Sequence, residues 1–198
     1  MNKVYIVGGD ILIESMYLKN GWKIVNHPDD ADFLQFTGGE DVSPMLYGEP
    51  KHPTTFSDPM RDEKEANIYN TYVGHKKMIG ICRGGQFLNV MNGGLMYQDV
   101  TGHAIGGTHD VIYKGKHYAV TSTHHQMMQR TGFGELLVVA PFSSMVSDGY
   151  GDSGEIEQGT EVVWYEETNS LCFQPHPEYV DPDHECQQLF FEIIRDVF

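Results

Sequence analysis

Gly80-Ile-Cys-Arg-Gly-Gly-Gln86 ends the apolar run 78–81 and opens a segment of helical character. Cys82 therefore stands on a strand-to-helix turn, where a side chain is lifted above the edge of a sheet. Glycines two residues before and two residues after the cysteine permit so sharp a turn. At a helix N-terminus, unpaired N–H groups and the positive end of the helix dipole favour thiolate over thiol and can hold a developing oxyanion. The bland reading of the same heptapeptide is a tight turn around a buried structural cysteine.

Far down the chain, residues 171–174 read as a short buried strand with Pro175-His176-Pro177-Glu178 at its end. A thiol of ordinary pKa, about 8.5, is only a few per cent ionised at neutral pH, and a nearby imidazole raises that fraction. His176 fits this role. In an extended stretch Glu178 points the same way as His176, so its carboxylate can fix the imidazole tautomer, and the prolines stiffen the arrangement. Alone, His-Pro-Glu is an ordinary loop. Together the two motifs predict one site, because an open α/β sheet delivers functional groups at the carboxyl ends of its strands.

The remaining pattern supports such a sheet. Residues 4–7, 22–25 and 33–36 are apolar runs of strand length, and 11–20 has helical spacing with Gly21 as a stop. Residues 61–73, rich in helix formers, precede the 78–81 strand. From 95 to 173 the character changes to short strands at 111–113, 119–122, 136–140 and 162–165 around glycine-rich turns. Residues 184–198 carry Cys186, Leu189, Phe190, Ile193, Ile194 and Val197 at helical spacing, a stripe for packing on the sheet. The expectation is an α/β fold: a mainly parallel sheet flanked by helices, with a nucleophile elbow at Cys82 and a smaller antiparallel β portion. The 142–159 stretch, rich in Ser, Gly and acidic residues, reads as a mobile loop, either a lid or a surface excursion.

The chain has 198 residues, 40% of them hydrophobic, which predicts one domain, 1–198, with a substantial core. Its net charge of −15 disfavours nucleic acid and anionic membranes as partners, since phosphate binding needs basic patches. No run approaches the roughly 20 apolar residues of a membrane span, and the first apolar run is too brief for a secretory signal. Three widely spaced cysteines fit a reducing compartment, so the expected location is cytoplasmic. Cys172 and Cys186 read as buried small hydrophobes.

Several separated blocks resemble the class I glutamine amidotransferase superfamily, and within it the γ-glutamyl hydrolase branch of peptidase C26 type. They are Thr37-Gly-Gly-Glu-Asp-Val-Ser-Pro, Leu46-Tyr-Gly-Glu, Arg61-Asp62, the Cys82 heptapeptide, Leu88-Asn-Val, Gly93-Gly-Leu-Met-Tyr-Gln-Asp, Ser122-Thr-His-His-Gln and Gln174-Pro-His-Pro-Glu. The resemblance implies a flavodoxin-like fold and a Cys82, His176, Glu178 triad. It places the oxyanion hole at the N–H groups of Gly39 and Arg83, and substrate contacts at Gln86, Ser122, Thr123, His124 and His125. It implies attack on a small-molecule γ-glutamyl amide through a γ-glutamyl thioester, with no cofactor and no metal. The histidines at 103, 109, 124 and 125 have no cysteines at zinc-site spacing beside them, which points the same way.

Two other functions keep the same residues: a glutaminase subunit feeding ammonia to a separate synthetase partner, and a non-catalytic binding protein of this fold. Some residues also keep two readings. The Arg83 side chain either attracts a substrate carboxylate or forms a salt bridge, and Met45 with Tyr47 lines either the leaving-amine pocket or the core. The segments 1–37 and 101–109 are short for the branch, which leaves the amine half of the substrate open.

Overall fold

The computed structural model describes residues 1–149 and 151–198. Strand β1 (Lys3–Val7) leads into helix α1 (Ile11–Lys19), whose first turn is capped by Asp10 accepting from the N–H groups of Leu12 and Ile13. The helix stops at Asn20 and at Gly21, which takes φ +76°. Strands β2 (Lys23–Ile24) and β3 (Phe33–Phe36) follow, and then helix α2 (Pro59–Tyr72), capped by Asp58 with a proline in its first turn. Strand β4 (Lys77–Ile81) feeds helix α3 (Arg83–Met91) with only Cys82 between them.

The next seven strands mix hairpins and irregular connections: β5 (Leu95–Tyr97), β6 (Gly107–Tyr113), β7 (Lys116–Ser122), β8 (Met127–Gln129), β9 (Glu135–Ala140), β10 (Ser144–Ser147) and β11 (Asp152–Ile156). Strand β12 (Gly159–Tyr165) and strand β13 (Ser170–Phe173) return the chain to the centre of the sheet, and helix α4 (Glu185–Val197) closes it.

One sheet of nine strands runs β2-β1-β3-β4-β13-β12-β9-β6-β7. The first five strands are parallel, and every later pairing is antiparallel. The antiparallel portion expected from sequence is thus the continuation of the parallel sheet, with two small two-stranded sheets, β5-β8 and β10-β11, beside it. The parallel strands are buried on both faces and so read as continuous apolar runs. On β4, Ile79 and Ile81 join Phe173, Phe190 and Ile194 in a core layer under α1 and α4. Met78 joins Leu34, Phe36, Phe87 and Cys172 in the layer under α2 and α3.

The 142–159 stretch differs from its expected loop. It folds as the β10-β11 hairpin, because Ser144 to Ser147 find ladder partners in Ile156 to Asp152; Tyr150 of that stretch lies outside the described residues. Among the described residues, no helix is long and apolar enough to cross a membrane.

Candidate active site

Cys82 adopts φ 50°, ψ −113°, a strained conformation for a residue with a Cβ. Its neighbours hold it there. The Cys82 N–H donates to the Phe173 carbonyl at 2.8 Å, tying the turn to β13. A Cβ on Gly80 would stand 2.2 Å from the Gly84 carbonyl oxygen, and one on Gly84 would stand 2.4 Å from that of Phe36. Both glycines are therefore required by close backbone approach. The thiol is partly exposed, whereas Cys172 and Cys186 are buried and burial raises both of their pKa values, that of Cys186 to about 12.

His176 arrives from the end of β13, where its N–H donates to Thr121 Oγ1 at 2.6 Å. Its Nδ1 lies 2.6 Å from Glu178 Oε1. Burial alone would lower the imidazole pKa. Hydrogen bonds and charge from Cys82 and Glu178 outweigh it and raise the value to about 10. The Tyr179 ring covers the imidazole in a parallel stack, centroids 4.2 Å apart. Sequence reasoning passed over this tyrosine, although its place next to Glu178 was visible.

The turn after β3 faces Cys82 from the other side. Gly39 takes φ +135°, and a Cβ there would stand 2.3 Å from Arg61 Nη1. Arg61 grips this turn by donating to the carbonyls of Thr37 and Gly38, each at 2.9 Å. Its Nε donates to Glu65 Oε1 at 2.8 Å, and Glu65 with Asp62 in turn pairs with Arg83. The Arg83 side chain is 2% exposed, which settles its two readings in favour of the salt bridge. Burial, and then repulsion from Arg61, lower its pKa to about 10. Its backbone N–H is the first of α3, where no intrahelical partner exists.

A pocket of about 240 Å³ opens over Cys82 and Gly39, lined also by Glu40, Asp41, Phe56, Gln86, Thr123, His124, His125 and Gln126, with His176 and Glu178 outside its lining. Four of the five expected substrate contacts reach it. Ser122 does not: it is fully buried and its hydroxyl donates to the His103 carbonyl at 2.9 Å, a structural tie. Gln86 lies one turn beyond Cys82, and its Nε2 donates to Gln174 Oε1 at 3.2 Å while Gln174 Nε2 stands 3.7 Å from Cys82 Sγ. His125 pairs with Asp41 at 3.2 Å and Asp99 at 3.6 Å, and the Asp41 bond leads the causes that raise its pKa. Met45 is 78% exposed and outside the pocket, whereas Tyr47 packs against the core, so the core reading holds for Tyr47 alone; Phe56, unmarked in the sequence, lines the pocket instead.

Behind His124 the structure gathers His103, His109 and Glu161 in one buried group. Burial lowers the His103 pKa. Burial would raise that of Glu161, but the imidazoles around it, His124 foremost, bring it well below the ordinary carboxylate value. Spacing gave no sign of this group, because Glu161 comes from a strand far from the histidines in sequence.

The geometry has counterparts among known proteins. The Peptidase C26 family model matches residues 19–111. The glutamine amidotransferase-like protein YvdE of Lactococcus lactis is 31% identical over 87% of this chain and 77% of its own length. A glutamine amidotransferase of Thermotoga maritima shares the fold with a TM-score of 0.60 at 14% identity, over 98% of this chain and 82% of its own. PurLQS from Thermotoga maritima does so with a TM-score of 0.62 at 17% identity, covering all of both chains. Identity of this extent with YvdE, on this fold, establishes that the chain belongs to the class I glutamine amidotransferase-like superfamily.

Proposed function

We propose that the protein is a cysteine amidohydrolase that cleaves a γ-glutamyl amide, either glutamine or a γ-glutamyl amine. The observation that carries this reading is the strained, partly exposed Cys82 beside the His176–Glu178 pair, over a pocket that contains Gly39. His176 draws the proton from Cys82, and the thiolate attacks the γ-carbonyl carbon. The Gly39 and Arg83 N–H groups receive the oxyanion, an arrangement whose donors are worth about 3 kcal/mol each in the barrier. Protonated His176 gives its proton to the departing ammonia or amine, leaving a γ-glutamyl thioester on Cys82. Water, deprotonated by His176, attacks the thioester carbonyl and releases glutamate with the thiol restored. Glu178 holds the Nδ1–H throughout and stabilises the imidazolium.

The pocket's about 240 Å³ is smaller than the roughly 300–1,000 Å³ of drug-sized sites, which suits a glutamyl group with its amine passing the exposed Phe56. Asp41 and Glu40 offer charge for the α-ammonium, and Thr123 with His125, which pairs with Asp41, offers donors for the α-carboxylate. The test is glutamate release by the isolated protein from glutamine and a panel of γ-glutamyl amines, with Cys82→Ala as control. Turnover of an amine above that of glutamine supports a free-standing hydrolase. Glutamine turnover that appears only with a synthetase supports the ammonia-supplying subunit. An inert protein whose Cys82 alkylates no faster than a free thiol defeats both.

A further inference from the structure

Three imidazoles and a carboxylate that the hydrolysis does not use meet behind the pocket wall. His103 lies in the segment before β6, His109 in β6, His124 between β7 and β8, and Glu161 in β12. All four are buried, and one donor atom from each lies within 4.8 Å of the others. Glu161 Oε1 is 3.0 Å from His103 Nδ1, 3.0 Å from His109 Nε2 and 3.5 Å from His124 Nε2. Ligands about 2.0–2.2 Å from a tetrahedral ion lie about 3.3–3.6 Å apart, so the two 3.0 Å contacts would lengthen by a few tenths of an ångström, and nitrogens spread up to 4.8 Å apart would close on the ion.

Hydrogen bonding satisfies one contact at the centre of the group, His109 Nε2 with Glu161 Oε1 at 3.0 Å, and leaves the others unsatisfied. His124 Nδ1 is 2.9 Å from the Gln126 carbonyl oxygen, which can only accept, so that nitrogen carries the proton. In the neutral ring, Nε2 then turns a lone pair toward a carboxylate that has only lone pairs to offer. His103 repeats the pattern when its Nε2, 3.0 Å from Ser144 Oγ, donates to that hydroxyl. His124 Nε2, His103 Nδ1 and Glu161 Oε2 have no hydrogen-bond partner among the described residues. A cation between them turns each repulsion into a bond.

The outer contacts also suit an ion. An imidazole whose far N–H is held by a carbonyl or hydroxyl is a ligand with its tautomer and direction fixed. The His103 ring is further wedged between Phe142, stacked at 4.8 Å, and Gly159, where a Cβ would stand 2.7 Å from ring atom Cε1. Three nitrogens and one carboxylate oxygen suit a first-row divalent ion of the zinc class, whereas magnesium and calcium select oxygen ligands.

We propose that His103, His109, His124 and Glu161 form a closed site for a divalent transition-metal ion of the zinc class, which ties β6 and β12 to the pocket wall at His124. The ion is structural: it fixes the segment that carries Thr123 and His125 and takes no part in bond cleavage.

The experiment is elemental analysis of full-length protein purified without a metal-affinity step, joined to refolding with Co²⁺ after unfolding in chelator. About one equivalent of zinc-class metal per chain is expected, as for other four-ligand sites. Refolding with Co²⁺ should give the visible bands of a four-coordinate ion and raise the melting midpoint, both saturating together. Glu161→Gln and His109→Ala should lose the metal. Cys82→Ala should keep it, since a metal held at the active-site thiol would depart with that thiol. Metal-free protein that gains neither bands nor stability on refolding with Co²⁺ overturns the site. Loss of the metal in Cys82→Ala overturns it as well. Wild-type refolding decides the matter even where the cluster variants fail to fold.

Discussion

Two histidine–carboxylate groups stand on either side of the pocket wall, and they are built in opposite ways. His176 and Glu178 lie two residues apart in one stiff Pro-His-Pro-Glu turn at the end of the parallel half, with the ring's Nδ1 on Glu178, Cys82 helping to raise its pKa, and one ring face under Tyr179. His103, His109, His124 and Glu161 come from four separate segments of the antiparallel half and point inward at one another. The first group places a proton carrier beside an open pocket. The second has no reacting atom beside it and leaves lone pairs facing lone pairs. Similar residue types thus serve transfer where a thiol and a cleft adjoin them, and cross-linking where they close on themselves.

The largest expected effect separates chemistry from architecture. Cys82→Ala should abolish glutamate release while the protein stays folded, because the side chain is lost from a turn held by Gly80, Gly84 and the Phe173 carbonyl. Cys82→Gly should do the same and melt no lower than wild type, since glycine accepts φ 50° freely and the strain relieved is of order 1–3 kcal/mol. Retained turnover in either variant removes Cys82 as nucleophile.

Next in size is Arg83→Met, which leaves the buried Asp62 and Glu65 carboxylates without their partner. Breaking a buried pair from one side costs about 3–5 kcal/mol, so chemical denaturation should show a large loss of stability. Replacing Asp62, Glu65 and Arg83 together by apolar residues of similar volume should recover much of it. If Arg83→Met alone is neutral, the network is not what holds the turn at Gly39.

Gly39→Ala acts on the barrier. The new Cβ would collide with Arg61 Nη1, and φ +135° is closed to alanine, so the amide proposed for the oxyanion must turn away. A loss of about 10²–10³-fold in kcat is expected, the cost of one oxyanion donor. An unchanged kcat would place the oxyanion elsewhere.

How much of this was legible in the sequence follows the same division. The parallel half announced itself, because strands buried on both faces read as apolar runs and the Cys82 and His-Pro-Glu motifs are local. His176 does pair with Glu178, but not through the extended stretch expected: Pro177–Tyr179 forms a 3-10 turn with His176 as its cap, and that turn brings the carboxylate back to Nδ1. Four things were hidden. The β10-β11 hairpin lacks an apolar pattern, since its strands lie outside the main sheet. Ser122 was expected as a contact from the resemblance of its block, yet strand alternation turns it inward. Phe56 reaches the pocket from an irregular loop with no period to read. Glu161 joins histidines 37 to 58 residues away by position, and spacing rules for metal ligands test neighbours along the chain rather than across a sheet.

A titration sharpens the contrast between the groups. His176 titrates at about 10 in the folded protein against an ordinary 6.5. A raised value means that the protonated ring stabilises the fold fully below about pH 6.5, and that this contribution disappears as pH rises through about 10. Cys82→Ala removes one of the two partners that raise it, so the His176 imidazole resonance in NMR should titrate at lower pH, and the alkaline edge of stability should move down with it. An unmoved titration in Cys82→Ala would mean that Glu178 alone sets the value and that thiol and imidazole are not coupled.

The smallest effect concerns how each ring is gripped. Tyr179 is 56% exposed, lies outside the pocket and stacks on His176 with planes 1° apart. Such a contact is worth about 0.5–1.5 kcal/mol. Tyr179→Ala should lower kcat by about tenfold at most and leave KM near its original value, because the ring orients the base without touching the substrate. Tyr179→Phe keeps the stack and should restore kcat. The corresponding change in the other group, Phe142→Leu, removes the ring stacked on His103 and should lower the melting midpoint with little change in kcat, since that histidine acts on architecture alone. If Tyr179→Ala raises KM and spares kcat, the ring is a wall of the substrate site rather than a support for the imidazole.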